Sequence, residues 1–152
     1  MPAFDVLLIL DLDETLVFAT EEPLARPPDF RSCDYAVYRR PGVEAFLTRC
    51  LADFTVAVWT ASGRQYAEVV VDELFGPRRA ELVFFWTGER CTLRYDPERM
   101  SWTKRKMLKK VWRLGYTREA SLIVDNTEAT YEANFGNAVP VPPVEKRLWW
   151  RR

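Results

Sequence analysis

Apolar runs recur along the chain, and each ends at a polar, charged or proline residue. They predict five strands, over residues 6–10, 54–59, 82–86, 121–124 and 138–141. Because these runs are almost continuously apolar, they are typical of strands buried on both faces of a parallel sheet.

Between the strands, apolar residues at helical spacing predict four helices, over residues 43–51, 62–74, 103–114 and 127–135. The second helix is predicted to begin at Ser62, which stands at capping-box spacing from Gln65. The third is basic and is predicted to end at Gly115. Strands that alternate with helices predict an α/β fold, a doubly wound Rossmann-like parallel sheet with right-handed crossovers.

Two connections are longer than the rest. A proline-rich loop over residues 21–31 precedes a short strand at 35–38, which is expected to form one arm of a small flap near the end of the first strand. Residues 87–101 are predicted to be irregular. Neither connection has room for a large cap domain, so the cleft at the strand ends is expected to be open.

The chain of 152 residues has the size of one domain. We assign residues 1–143 to this domain, because Pro142 and Pro143 close the last predicted strand. Residues 144–152 form a basic and aromatic tail that contains Trp149 and Trp150.

Composition narrows the classes of function. Lys plus Arg equals Asp plus Glu at 22 each, so bulk charge gives no reason to expect nucleic-acid binding. The absence of histidine and the wide spacing of three cysteines argue against structural zinc and histidine-based catalysis.

An odd number of cysteines fits a reducing compartment, and no apolar run approaches the roughly 20 residues that span a bilayer. The sequence therefore predicts a cytoplasmic protein with no membrane partner, and it gives no sign of an oligomeric state.

Polar side chains follow three of the predicted core strands. These are Asp11 and Asp13 after the first strand, Thr60 and Ser62 after the second, and Asp125 and Asn126 after the fourth. The carboxyl ends of parallel strands meet at one edge of the sheet, where ligands bind in α/β proteins. Two carboxylates held together need a cation or a shared proton. Carboxylates, a hydroxyl and the lysines of residues 104–110 are the side chains that phosphoryl transfer uses.

Each of these side chains also has an ordinary structural interpretation. Asp11 and Asp13 are able to cap a turn, Asp125 and Ser62 are able to cap helices, and Tyr66 is able to belong to the core or its rim. A calcium loop of the EF-hand type is disfavoured, because its later ligands and its turn glycine are missing.

Residues 11–17, Asp-Leu-Asp-Glu-Thr-Leu-Val, resemble the DxDxT signature of haloacid dehalogenase superfamily phosphatases. The DLDETLV form resembles the branch that includes the RNA polymerase II C-terminal-domain phosphatases. Further blocks match in order, at residues 40–43, 59–62, 66–67, 106–108, 123–126 and 137–141. The resemblance covers about residues 4–143, with two departures: Phe18 replaces a familiar histidine, and Met107 replaces an aspartate.

The resemblance implies a role for each matched residue. Asp11 would be the nucleophile that forms an aspartyl-phosphate, and Asp13 the general acid and base. Thr15 would hold the loop, contact phosphate and orient Asp13. Thr60 and Ala61 would bind the phosphoryl group.

The resemblance also implies a metal and a lysine. Mg²⁺ would bind the Asp11 carboxylate, the Asp13 backbone carbonyl and Asp125, with Asn126 orienting this shell. Lys106 would neutralise the phosphoryl group, although an alignment without gaps counted back from Asp125 selects Lys109 instead.

The leading hypothesis is therefore a Mg²⁺-dependent phosphatase that acts on a phosphoprotein or another bulky substrate. The alternatives are a small-metabolite phosphatase and a phosphoacceptor signalling or scaffold module with the same fold. A phosphoacceptor module hydrolyses its aspartyl-phosphate slowly, whereas the second carboxylate at Asp13 supplies the acid and base that turnover needs.

Overall fold

The computed structural model describes residues 4–127 and 132–142. The strands are β1 Leu7–Leu10, β2 Val17–Thr20, β3 Phe30–Ser32, β4 Tyr35–Arg39, β5 Thr55–Trp59, β6 Phe85–Trp86, β7 Thr92–Asp96, β8 Ser101–Arg105, β9 Ser121–Asp125 and β10 Ala138–Pro140. The helices are α1 Val43–Asp53, α2 Arg64–Phe75 and α3 Lys109–Trp112. Short 3₁₀ helices span Gly76–Glu81, Gly88–Arg90, Arg118–Ala120 and Glu132–Asn137.

The central sheet has five parallel strands in the order β10-β9-β1-β5-β6. Strand β1 lies in the middle, and its Leu7 is in register with Thr55 on one side and Ser121 on the other. This sheet, with helices between its strands, confirms the predicted α/β fold class.

Apolar residues from the two faces of the sheet enter separate cores. On one face, Leu8 and Leu10 pack with residues of α1 and α2. On the other, Ile9 and Trp59 pack with Leu108 and other residues around α3. Burying one such side chain stabilises the fold by about 1.5–3 kcal/mol. Covered on both faces, the central strands hold their carboxyl ends in fixed positions.

The predicted flap is a three-stranded antiparallel sheet in the order β2-β4-β3. Strand β4 confirms the strand expected at residues 35–38, and β3 takes up the end of the expected loop. The Ser32 hydroxyl donates to the Tyr66 carbonyl at 2.9 Å, which joins the flap to α2.

The segment between β6 and β9 differs from its prediction. The expected irregular stretch and the first turn of the expected basic helix form a hairpin of β7 and β8, and α3 spans only four residues. The hairpin pairs Tyr95 with Trp102, and the two rings meet edge to face. Aromatic cross-strand pairs favour strands, and this preference outweighs the helical spacing of the lysines. Gly115 ends the helical turn with a φ of 103°.

Three smaller expectations also change. Helix α2 begins at Arg64 and has no side-chain cap, and β6 keeps only two of the five residues predicted for that strand. The helix predicted over residues 127–135 lies partly outside the described residues, and its described end is a 3₁₀ turn. The tail at 144–152, with Trp149 and Trp150, lies outside them entirely. Within residues 4–127 and 132–142, no helix is long and apolar enough to cross a membrane.

Candidate active site

The chain turns sharply after β1 and carries Asp11 into a buried position. The Asp11 amide donates to the Val124 carbonyl at 3.1 Å, which extends the pairing of β1 with β9. The Leu12 carbonyl then accepts the amides of Thr15, Leu16 and Val17. Glu14 has a φ of 60° inside this turn. The Asp11 side chain is 8% exposed.

Thr15 supports Asp11 in this turn. Its hydroxyl lies 3.1 Å from Asp11 Oδ2 and 3.3 Å from Asn126 Oδ1, so its single proton serves both acceptors. Thr15 is buried behind Asp11 and is absent from the described residues that line the cleft. The predicted contact of Thr15 with phosphate and its orientation of Asp13 stay predictions, while the structure places the Thr15 hydroxyl against Asp11. The tight turn is the reason, because it folds residue 15 back onto residue 11.

Lys106 connects two of the strand ends. Its Nζ donates to Asp11 Oδ1 at 2.9 Å and to Asp125 Oδ2 at 2.6 Å, and its side chain is only 1% exposed. Lys109, the alternative, lies on α3 with its side chain exposed. Of the two lysines, the structure brings Lys106 to the carboxylates.

Asn134 fixes the backbone on both sides of Met107, and nothing in the sequence pattern singled it out. Its amide nitrogen donates to the Lys106 carbonyl, and its oxygen accepts the Leu108 amide at 3.2 Å. The side chain is buried. Asn134 therefore holds the segment that carries Lys106 into the sheet edge.

Burial shapes the ionisation of this cluster. Burial raises the pKa of Asp11 to about 7; the Lys106 charge opposes that rise and the Asp125 charge adds to it. Burial by itself would lower the pKa of Lys106, but the charges of Asp11 and Asp125 outweigh it and raise that pKa. The lysine therefore stays protonated between the two carboxylates.

Asp13 points away from this cluster into a different set of contacts. Its Oδ2 accepts the Ser62 hydroxyl at 2.5 Å, and its Oδ1 accepts the Tyr66 hydroxyl at 2.5 Å. Burial, followed by the charge of Asp13, raises the pKa of Tyr66, so this hydroxyl stays a donor. The sequence had favoured Ser62 as a helix cap and Tyr66 as a core or rim residue. The position of Ser62 after the second strand is a sequence signal for the site, whereas Tyr66 lies on α2 and has no such signal.

The end of β5 forms one wall of the cleft. Thr60 is buried, and its Oγ1 accepts the Ser62 amide at 3.1 Å, which leaves the hydroxyl proton for another acceptor. The Ala61 carbonyl accepts the Lys104 ammonium at 3.0 Å. Thr60 and Ala61 line the same cleft as Asp11 and Asp13.

Asp11, Asp13, Thr60, Lys106 and Asp125 line one open cleft of about 460 Å³. Ala61 and Asn126 line it as well, together with Tyr35 and Ala19 of the flap. The amide nitrogen of Asn126 donates to Glu14 Oε2 at 3.1 Å, which fixes the Asn126 side chain.

The residues at this edge fit a hard divalent cation. The carboxylates of Asp11 and Asp125 lie close enough together for both to contact Lys106 Nζ. Oxygen donors of this kind are the ligands that Mg²⁺ prefers. The described residues contain no group of three or more His, Cys, Asp or Glu that could hold a metal, so a site here would use only two side chains. A third protein ligand would have to come from the backbone, as predicted for the Asp13 carbonyl.

Residues 6–147 match the family model of the NLI interacting factor-like phosphatases, and the chain belongs to this family. The predicted superfamily and branch are confirmed. The predicted class of enzyme, a phosphoric monoester hydrolase, is confirmed at the level of the family.

Individual proteins agree with the family match. The chain is 33% identical over 141 residues to CTD small phosphatase-like protein 1 of Caenorhabditis elegans, covering 88% of this chain and 26% of that one. It is 33% identical over 143 residues to the CTD small phosphatase-like protein of Homo sapiens, covering 88% and 47%.

A solved structure shares the fold. The structure of Fcp1, an essential RNA polymerase II CTD phosphatase, superposes with a TM-score of 0.70 at 19% identity, covering 93% of this chain and 42% of that one. The chain thus spans less than half the length of each of these proteins.

Proposed function

We propose that this domain is a Mg²⁺-dependent phosphatase that hydrolyses phosphomonoesters through an aspartyl-phosphate on Asp11. The observation that carries the proposal is Lys106, buried between Asp11 and Asp125 at the floor of an open cleft, with Asp13 held apart from them. This arrangement provides a nucleophile, a fixed positive charge and a separate carboxyl group for proton transfer.

Asp11 would attack the phosphorus atom, so that a bond forms from its carboxylate oxygen to phosphorus while the bond to the leaving oxygen breaks. Asp13 would give its proton to the leaving oxygen. In the second half, water would attack the phosphorus of the aspartyl-phosphate, the bond from phosphorus to the Asp11 oxygen would break, and Asp13 would take the proton of the water. Inorganic phosphate would then leave and Asp11 would be restored.

The remaining residues would bind the transferring group. Lys106 would donate to phosphoryl oxygens as their charge develops, and the Thr60 hydroxyl would donate to another. Asp11, Asp125 and the Asp13 carbonyl would hold Mg²⁺, which would supply positive charge to the phosphoryl oxygens. Asn126 would keep Thr15 and Asp11 in place through the bond at 3.3 Å.

The open cleft supports a bulky substrate. Its upper wall is the small flap of β2, β3 and β4, and within the described residues no separate cap domain closes over it. The relatives carry the names of CTD phosphatases, and so we propose a phosphorylated protein segment as the substrate.

The nucleophile is tested with p-nitrophenyl phosphate and MgCl₂. We expect turnover by the wild type, its loss in Asp11→Asn, and its retention in Asp72→Asn, whose side chain lies exposed on α2 and bonds to Arg79. Acid quenching of a reaction with ³²P-labelled acetyl phosphate should trap labelled protein in the wild type only. Full activity of Asp11→Asn would overturn the assignment, and a label that persists for hours would favour the phosphoacceptor module.

Metal dependence and substrate class need separate measurements. Removal of divalent metal with a chelator should abolish turnover, and MgCl₂ in excess should restore it. We would measure kcat/KM for a panel of phosphoserine peptides and for free phosphorylated metabolites, and compare the two sets of values. Higher values for the metabolites would replace the proposed substrate with a small molecule.

A further inference from the structure

Two hydroxyl groups bind the carboxylate of Asp13, and the chemical steps proposed above assign no task to either. The Ser62 hydroxyl donates to Oδ2 and the Tyr66 hydroxyl donates to Oδ1, both at 2.5 Å. Each carboxylate oxygen therefore has its own donor.

The fold brings these donors together from one short stretch of chain. Ser62 stands in the turn between β5 and α2, and Tyr66 lies in the first turn of α2. Three residues separate them, and one of these, Gly63, is the N-cap of α2. The position of α2 relative to β5 therefore sets where both hydroxyl groups meet Asp13.

Tyr66 is itself held by the flap. Its backbone carbonyl accepts the Ser32 hydroxyl at 2.9 Å, and its ring meets the ring of Tyr35 edge to face at 5.7 Å between centroids. A side chain whose own position is held by its neighbours also holds the group to which it donates a hydrogen bond. The Tyr66 hydroxyl is therefore a rigid donor.

We propose that Ser62 and Tyr66 are positioning residues that hold the Asp13 carboxyl group in the orientation from which it exchanges a proton with the leaving oxygen. This inference rests on the proposed function, since it needs Asp13 as the proton carrier. A carboxyl group fixed by two donors rotates less than a free one, and misplacement of a catalytic group by about 1 Å costs up to about a hundredfold in rate.

The more basic the leaving group is, the more the rate of its release depends on protonation by Asp13. p-Nitrophenolate leaves with little help, whereas phenolate and alkoxides need a proton as the bond to phosphorus breaks. Loss of the two hydroxyl groups should therefore slow the cleavage of phenyl phosphate far more than that of p-nitrophenyl phosphate. A loss of general stability would slow both substrates alike.

The experiment compares kcat/KM for both substrates in the wild type, Ser62→Ala, Tyr66→Phe and the double variant. This parameter reports the steps up to release of the leaving group. The quantity of interest is the kcat/KM for p-nitrophenyl phosphate divided by that for phenyl phosphate. We expect it to rise about tenfold or more in the double variant, since proton transfer contributes about 100-fold or more to such steps.

Matched controls keep the result specific. Ser101→Ala and Tyr95→Phe remove the same hydroxyl groups from the exposed hairpin and should leave the ratio unchanged. Ser62→Thr keeps a hydroxyl group and should return the ratio towards the wild-type value. In an Asp13→Asn background, Tyr66→Phe should have no further effect on the ratio.

The possible results distinguish the positioning role of Ser62 and Tyr66 from the phosphatase activity itself. An unchanged ratio in a folded double variant, judged by circular dichroism, overturns the positioning role while the phosphatase stands. An equal fall for both substrates overturns it as well. Wild-type protein that hydrolyses neither substrate removes the proposed function, and the positioning role with it.

Discussion

Lys106 Nζ lies 2.6 Å from Asp125 Oδ2, and both side chains are 1% exposed. The lysine reaches the end of β9 from the segment just before α3, and it also contacts Asp11 at the end of β1. A buried cation between two carboxylates offsets part of their negative charge, and its removal leaves more of that charge uncompensated.

We expect Lys106→Met to lose both stability and activity. The free energy of unfolding should fall by about 3–5 kcal/mol, the cost of removing one partner of a buried ion pair. Turnover of p-nitrophenyl phosphate should fall below detection, because the positive charge for the phosphoryl oxygens is gone. Urea unfolding in metal-free buffer and a phosphate-release assay measure the two effects.

Lys109→Met is the control for this change. Its side chain is exposed on α3, so both the unfolding free energy and the turnover should stay close to the wild-type values. Loss of activity in Lys109→Met with retention in Lys106→Met would reverse the assignment of the two lysines.

The sequence predicted which side chains lie at the sheet edge, because each apolar run shows where a strand ends. Asp11, Thr60 and Asp125 follow strands buried on both faces, and their meeting requires only parallel pairing. The same rule says nothing about Lys106, which lies in an irregular segment. Its position depends on a contact with Asn134, a residue 28 positions later in the chain.

The errors in the fold have a common physical cause. The basic segment before α3 has lysines at helical spacing, yet the cross-strand contact of Tyr95 with Trp102 stabilises a hairpin there. Ser62 has the spacing of a capping box, yet its hydroxyl donates to the carboxyl group of Asp13. In both places a specific contact outweighs a local helical preference: Tyr95 pairs with Trp102 across a hairpin, and Ser62 meets Asp13, which precedes it by 49 residues.

We expect Asn134→Leu to reduce both activity and stability. The change keeps the approximate volume but leaves the buried Lys106 carbonyl and Leu108 amide without their partner. Each unpaired group costs about 1–3 kcal/mol. Turnover should fall at least tenfold as Lys106 loses its fixed position, on the scale of about a hundredfold for misplaced catalytic groups.

Asn137→Leu separates the two effects. The amide nitrogen of Asn137 donates to the carbonyls of Arg118 and Ser121, which lie at the opposite end of β9 from Asp125. We expect a similar loss of stability, measured by urea unfolding, with little loss of turnover below the melting temperature. An equal loss of turnover in both variants would contradict the specific role of Asn134.

We expect Gly88→Ala to disturb the wall of the cleft. A Cβ at this position would lie 2.7 Å from the Ala61 carbonyl oxygen and 2.9 Å from Lys104 Nζ. The lysine tip is able to move, but the carbonyl belongs to the turn after Thr60 and has to shift. Overpacking of this kind costs about 1–3 kcal/mol, and a shifted Thr60 should also lower kcat. At Gly136 an added Cβ would meet no atom within 4 Å, so Gly136→Ala should change neither the free energy of unfolding nor the turnover rate.

The three cysteines should differ widely in reactivity, because the thiolate is the reactive form and needs access to solvent. Cys33 is exposed, whereas Cys50 is buried against the core, and burial together with the charge of Asp53 raises the pKa of Cys50 to about 11. Burial also raises the pKa of Cys91, which is partly exposed. Labelling with N-ethylmaleimide at pH 7.5, followed by peptide mass spectrometry, should modify Cys33 first, Cys91 next and Cys50 only on unfolding.

The raised pKa of Cys50 also predicts a pH dependence of stability. A thiol with its ordinary pKa of 9.0 in the unfolded chain and about 11 in the folded protein favours folding fully below pH 9, and this contribution disappears as the pH rises towards 11. The difference in unfolding free energy between the wild type and Cys50→Ala should therefore be constant from pH 7 to 8.5 and shrink between pH 9 and 11. A constant difference across the whole range would mean that the Cys50 thiol ionises as easily in the folded protein as in the unfolded chain.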